Sequence, residues 1–187
     1  MHINKLNSEL RKKIRVFYFL RNTCNLQLLR TIYFAVVQSR IQYGLEFWGG
    51  THETLINKVA VTQKYLIRIM TFKNQREHTR QIFKQLTMLP LKNLFIFKVL
   101  KLFYKKSGNR GTENLFYRTR STTQQLFVRP KVNKTLFSKS FLYLGPKCFN
   151  LLPNNIKTAP NLKSFVKQLK KWLNETDDIS FLFVIPS

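Results

Sequence analysis

Apolar residues at Ile3, Leu6, Leu10, Ile14 and Phe17 recur at steps of three and four, which predicts a first helix over residues 3–20. Asn22, Thr23 and Asn25 supply a break and a new N-cap. A second helix is predicted from Leu26 to Gln42, carrying Leu29, Ile32, Tyr33, Val36, Val37 and either Arg40 or Ile41. It is apolar around much of its girth, the pattern of a helix central to a bundle. Gly44, Gly49 and Gly50 end this region, with Tyr43, Phe47 and Trp48 among them. Thr51 can cap a third helix from Glu53 to Met70, with Leu55, Val59, Leu66 and Ile69 inward and Lys58, Lys64 and Arg68 outward. A short fourth helix over Arg80 to Leu86 leads to Pro90. A fifth, Leu91 to Lys106, brings Leu94, Phe97, Lys98, Leu102 and Phe103 near one another. It runs into Ser107-Gly108-Asn109-Arg110-Gly111, a strong loop signal and the expected boundary between two subregions.

Beyond that loop the periodicity fades. Residues 115–145 are rich in Thr, Ser, Phe, Tyr and Val, and Pro130 and Gly145-Pro146 interrupt them, so extended or irregular chain with one or two short strands is expected. Helical character returns from Pro146 to Leu151. Asn161 caps a closing helix over 162–174, striped with Phe165, Leu169 and Trp172, and a loose tail follows. The expected fold is therefore mainly α: a helical bundle over residues 1–106, then an irregular C-terminal region, 107–187, closed by one helix.

Charge narrows the function. The 187 residues hold 33 Lys and Arg against 8 Asp and Glu, a net charge of +25. Such an excess repels itself in the compact state and is best tolerated against a polyanion. The cations lie within apolar-periodic segments rather than in a detached tail, which favours basic faces on a folded domain. Solvated lysines serving solubility, and an anionic lipid surface, are the competing readings of the same charge. The longest runs without a charge are nine residues, too short for a membrane span, and no signal peptide is recognisable. A nuclear or cytoplasmic location is expected.

Catalytic signatures are sparse. Asp occurs only at 177 and 178, and Glu9, Glu46, Glu53, Glu77, Glu113 and Glu175 are far apart in sequence. Two-metal phosphoryl transfer needs carboxylates gathered on one scaffold. Phosphate-loop, dinucleotide, zinc and nucleophile-elbow motifs are missing, so no cofactor and no metal are expected. Cys24 reads as a helix-entry or core thiol. Cys148, beside Lys147, could carry a lowered pKa, although no His is near it in sequence.

Basic residues recur beside aromatics in four places: Arg11 to Arg15 with Phe17 and Tyr18, Lys98 to Lys106 with Tyr104, Arg118 and Arg120 with Tyr117, and Lys163 to Lys171 with Trp172. Such cations neutralise phosphates and release counterions, and exposed aromatics stack on unpaired bases. Phe17, Phe97 and Trp172 read more simply as core. The candidate nucleic-acid contacts are Arg11, Lys12, Arg15, Lys64, Arg68, Lys101, Lys105, Arg118, Arg120, Lys147, Lys167 and Lys171.

Five stretches, in order, resemble the region downstream of the polymerase core in jockey-like non-LTR retrotransposon reverse transcriptases. They are Gln42 to Gly49 with Leu55 to Met70, the Met88-Leu89-Pro90-Leu91 corner, Tyr117-Arg118-Thr119-Arg120-Ser121, Ser140 to Pro153, and Ile156 to Trp172. Where the family usually has Trp, this chain has Phe149. The resemblance implies a thumb-like bundle of the kind that grips a primer–template duplex. The palm with its Tyr-x-Asp-Asp motif and the endonuclease lie outside this sequence, so no residue inherits a catalytic role. The expectation is a chain truncated before the palm, non-catalytic, binding RNA or DNA backbone without sequence choice. A structural module completing a reverse transcriptase or another partner, and an unselected genomic remnant, are the alternatives.

Overall fold

In the computed structural model the described residues are 2–109, 127, 135–176 and 179. They are mainly helical, as the periodicity predicts. The chain divides into two compact units, Met1–Leu94 and Phe95–Ser187. The division falls inside the fifth long helical stretch rather than at the 107–111 loop signal.

The first unit begins with α1 (His2–Thr23) and α2 (Leu26–Tyr33). The Asn25 side chain accepts from the Leu28 N–H at 2.8 Å, which gives one orphan donor of the helix start its partner. From α2 the chain winds on without a break through a π-helical stretch, Phe34–Gln38, into α3 (Ser39–Gln42). The apolar pattern predicted one helix here, and the wider turn inserts one extra residue per hydrogen-bonded loop. Gly44, at φ +60, turns the chain into α4 (Leu45–Trp48), and the Trp48 indole donates to the Tyr43 carbonyl at 2.9 Å. Next come α5 (Glu53–Met70) and α6 (Arg80–Gln85). Thr51 does not cap α5. His52 occupies the cap without a side-chain hydrogen bond, and Thr51 Oγ1 is buried without a partner among the described residues.

Helix α1 runs antiparallel to the continuous stretch from α2 to α3, since Glu9 pairs with Arg40 of α3 while Phe17 packs on Tyr33 of α2. Helices α1 and α5 run parallel, since Asn7 meets Thr62, Tyr18 meets Tyr65 and Arg21 meets Phe72. Leu10, Tyr33, Val37, Ile41, Val59, Leu66 and Ile67 are sealed from solvent. The buried Gln63 amide donates to the Tyr33 hydroxyl at 3.0 Å and to the Leu89 carbonyl at 3.2 Å, which pairs the Tyr33 phenol inside this core. Both α5 and α6 end in Schellman turns, which place C′ in the left-handed region that favours glycine. Here C′ is Phe72 (φ 55) and Thr87 (φ 51). Arg30 holds the second of these, donating to the Leu86 carbonyl at 2.8 Å and to Thr87 Oγ1 at 2.7 Å.

The second unit is built from α7 (Leu91–Asn109), which starts in the first, with α8 (Thr135–Ser138), α9 (Phe141–Asn150), α10 (Asn154–Lys157) and α11 (Leu162–Glu175). Helix α7 outlasts the predicted end at Lys106 and buries Phe95, Ile96, Val99, Leu100 and Phe103, leaving Phe97 and Leu102 half-buried. The irregular reading of 115–145 fails at its C-terminal end, where α8 and α9 are helical; residues 110–126 and 128–134 lie outside the description. Helix α9 starts at Phe141, five residues before the predicted return at Pro146. That proline costs one backbone hydrogen bond but sits within the second turn of a helix buried from Tyr143 to Phe149, so packing outweighs propensity.

An aromatic cluster forms this core. The Phe103 ring lies 4.9 Å from Phe127 and 5.6 Å from Phe149, and Tyr104 stacks on Phe165 at 4.1 Å. The Asn150 amide brackets one extended residue, accepting from the Phe127 N–H at 3.0 Å and donating to the Phe127 carbonyl at 2.9 Å. Asn161 caps α11 as predicted, accepting from the Ser164 N–H at 2.8 Å.

Two predictions follow from this packing. A Cβ at Gly145 would lie 2.8 Å from Phe103 Cδ2, so Gly145→Ala, which helix propensity would favour by about 1 kcal/mol, should instead destabilise by about 1–3 kcal/mol, read by denaturant unfolding. Phe103→Leu in the same chain should recover part of the loss. Burial raises the Cys148 thiol from 9.0 to about 12, and burial also raises the Tyr33 phenol above its ordinary 10.0. Both groups favour the protonated fold. Stability is therefore full below about pH 8.5 and falls as pH climbs towards the folded-state values. Cys148→Ala should flatten the part of that decline between 9.0 and about 12.

Candidate nucleic-acid interface

The seam between α1 and α5 gathers cations from two directions. On α1, Arg11, Arg15 and Tyr18 follow at steps of four and three, so they share a line, and Asn7 and Tyr18 on that line touch α5. On α5, Lys58, Thr62 and Tyr65 form the facing line, with Val61 beside it and Lys64 next outward. Arg11, Lys12, Arg15, Lys58 and Lys64 are exposed, and none makes an ion pair among the described residues.

The acids of this unit are spent elsewhere. Glu9 takes Arg40 on the α2 side, Glu53 takes Lys92 at 2.7 Å, and Glu77 takes Lys73 at 2.8 Å. The Lys73 hydrogen bond holds the Glu77 carboxyl below its ordinary range. Glu46 makes no ion pair among the described residues and has one oxygen buried. The seam is thus a strip of like charge with no acid along it among the described residues.

Two of the sequence candidates do different work. Arg68 is half-buried, and its Nε donates to the Glu77 carbonyl at 2.9 Å, tying the loop after α5 back onto the helix. Lys147 is 4% exposed, sealed within α9, so it cannot face a phosphate in solution. Its neighbour Cys148 has a raised rather than lowered pKa, because burial outweighs the nearby ammonium. Arg118 and Arg120 lie outside the described residues.

In the second unit Lys101 and Lys105 are exposed on α7, either side of Tyr104 in sequence. Lys163, Lys167, Lys170 and Lys171 are exposed on α11, opposite buried Phe165, Leu169 and Leu173. Among the described residues only Lys171 meets an acid there, Glu175 at 4.0 Å, an exposed pair that holds little energy. Phe17 is core, and Trp172 is half-buried. Tyr18 is only just exposed, and the most exposed aromatics are Phe19, Tyr43, Phe47 and Phe72, which the sequence did not single out as contacts. Phe19 falls on the outer side of α1 with Lys12, at a step of seven that the sequence displays.

Among the described residues no three His, Cys, Asp or Glu come together as metal ligands, and no helix is long and apolar enough to cross a membrane. No protein-family model, characterised protein or solved structure matches this chain.

The two kinds of arginine should separate on substitution. Arg68→Ala removes a charged hydrogen bond and should cost about 1.5–3 kcal/mol in urea unfolding. Arg11→Ala and Arg15→Ala, on an open face, should each stay within about 0.5 kcal/mol of the parent.

Proposed function

We propose that this chain binds RNA or DNA through its backbone, without sequence preference and without chemistry of its own, and that it derives from the thumb and downstream region of a non-LTR retrotransposon reverse transcriptase. The origin rests on the five motifs in the family's order. The binding rests on one observation above all, the α1/α5 seam, where Arg11, Arg15, Lys58 and Lys64 stand exposed with no acid along them among the described residues. Such a strip attracts any polyphosphate and reads no base edge, so affinity comes from counterion release. The scattered acids support the absence of phosphoryl-transfer chemistry in this chain: each ion-paired one is engaged by a different cation.

A second reading, docking onto a protein partner, draws on Tyr43 and Phe47, which are exposed on either side of Gly44. It would show as oligomerisation or partner capture that survives nuclease treatment.

The test is a salt titration with labelled RNA and DNA of unrelated sequences. If about 6–10 phosphates are contacted, affinity should fall about 10³–10⁵ between 50 and 200 mM salt. Arg11→Ala or Lys58→Ala should lower the slope of log K against log salt by about 0.7–0.9 each. Affinity that does not change with salt would refute the proposal. A strong preference for one sequence would refute its backbone-only form.

A further inference from the structure

The seam ends in an aromatic group that backbone binding does not use. The Arg21 guanidinium lies over the Tyr18 ring at 4.7 Å and over the Phe72 ring at 4.9 Å. Its Nε is buried and donates to nothing among the described residues, so ring contacts rather than hydrogen bonds hold this cation. The Tyr18 and Tyr65 hydroxyls meet at 3.0 Å with their rings edge to face, and Gln75 donates to the Tyr65 hydroxyl at 3.4 Å. Tyr18 is thereby fixed from two sides. Phe72 keeps 62% of its surface exposed.

The backbone makes the exposed ring harder to explain as packing. Phe72 occupies C′ of the Schellman turn that ends α5, with the Lys73 N–H bonded to the Arg68 carbonyl at 2.9 Å and the Phe72 N–H to the Ile69 carbonyl at 3.3 Å. That position needs φ +55, which glycine adopts freely and a bulky side chain does not. The other strained C′ residue, Thr87, is explained by its Arg30 hydrogen bond. At 72 the chain bears the strain and shows the ring to solvent. Strain of this kind is retained where a side chain has work to do.

We infer that the Tyr18–Arg21–Phe72 group is a stacking platform for an unpaired base, so that the seam takes single-stranded nucleic acid in preference to duplex. This rests on the backbone-binding reading. The lines Arg11–Arg15–Tyr18 on α1 and Lys58–Thr62–Tyr65 on α5, the latter followed by Phe72 just past the helix end, lead from the cations to the platform along parallel helices. Phosphates of one strand occupy Arg11, Arg15, Lys58 and Lys64, and a base lies on the open side of the Phe72 ring. Arg21 makes that ring a better platform from beneath and adds positive charge beside the strand. A duplex keeps its bases stacked on one another and has none to offer.

The test uses the full chain with a 2-aminopurine-labelled single strand and the same sequence as duplex. The parent should quench the label and bind the strand more tightly than the duplex. Phe72→Gly removes the ring and relieves the left-handed strain, so it should hold or raise Tm. It should also lower strand affinity by at least about fivefold, abolish the quench and leave duplex affinity unchanged. Phe72→Trp should retain both quench and affinity. Salt-dependent binding by the parent with no strand preference, or strand affinity unchanged in Phe72→Gly, overturns the platform while leaving backbone binding intact. A parent that binds neither form overturns both.

Discussion

Charge that cannot be paired internally is the constraint on which the rest of this molecule turns. With 33 basic and 8 acidic side chains, most cations have no acid to meet. The acids that do form pairs act as local ties: Glu9 links α1 to α3, Glu53 reaches Lys92 at the start of α7, and Glu77 and Glu175 take neighbours at i−4. What remains is like charge on the outside of helices whose inner faces must hold against it. Leu10, Val37, Ile41, Val59, Leu66 and Ile67 in one unit, and Phe103, Phe149, Phe165 and Leu169 in the other, supply that cohesion. A polyanion along α1 and α5 would lower the repulsion and stabilise the fold by the same contacts.

Periodicity carried the long helices. The bounds of α5 were readable because Leu55, Val59, Leu66 and Ile69 keep helical spacing with cations on the other side. Those of α11 were readable because Asn161 is an N-cap and its Lys stripe is clean. The π-helical stretch Phe34–Gln38 left no trace in the pattern, since a single wide turn shifts the apolar stripe by less than one residue's arc can reveal. Helix α9 was misread at its start because Gly145 and Pro146 are breakers by propensity. Its burial from Tyr143 to Phe149 is a tertiary fact, and Gly145 is there to let the Phe103 ring approach.

The site was legible in kind rather than in detail. Arg11, Lys12, Arg15 and Lys64 face outward because their apolar neighbours face inward, which the sequence shows. Arg68 sits at the edge of the same face, but the loop after α5 folds back and claims its guanidinium, and no local pattern announces a hydrogen bond to a carbonyl nine residues on. A helix beginning at Pro146 would carry Lys147 in its open first turn, whereas the start at Phe141 sets it in the buried interior of α9. The platform residues were hidden for another reason. Tyr18 and Phe72 are distant in sequence, and only the parallel packing of α1 and α5 brings them onto one cation, Arg21.

Amine-labelling footprints of the chain with and without a mixed-sequence oligonucleotide test the central assignment most directly. Strong protection of Lys58 on the seam and of Lys64 just outward of it is expected, with Lys73 and Lys92, held by Glu77 and Glu53, labelled as before. Lys58 and Lys64 labelled equally in both states, with nucleic acid bound, would place the contact elsewhere and contradict the assignment of the α1/α5 seam.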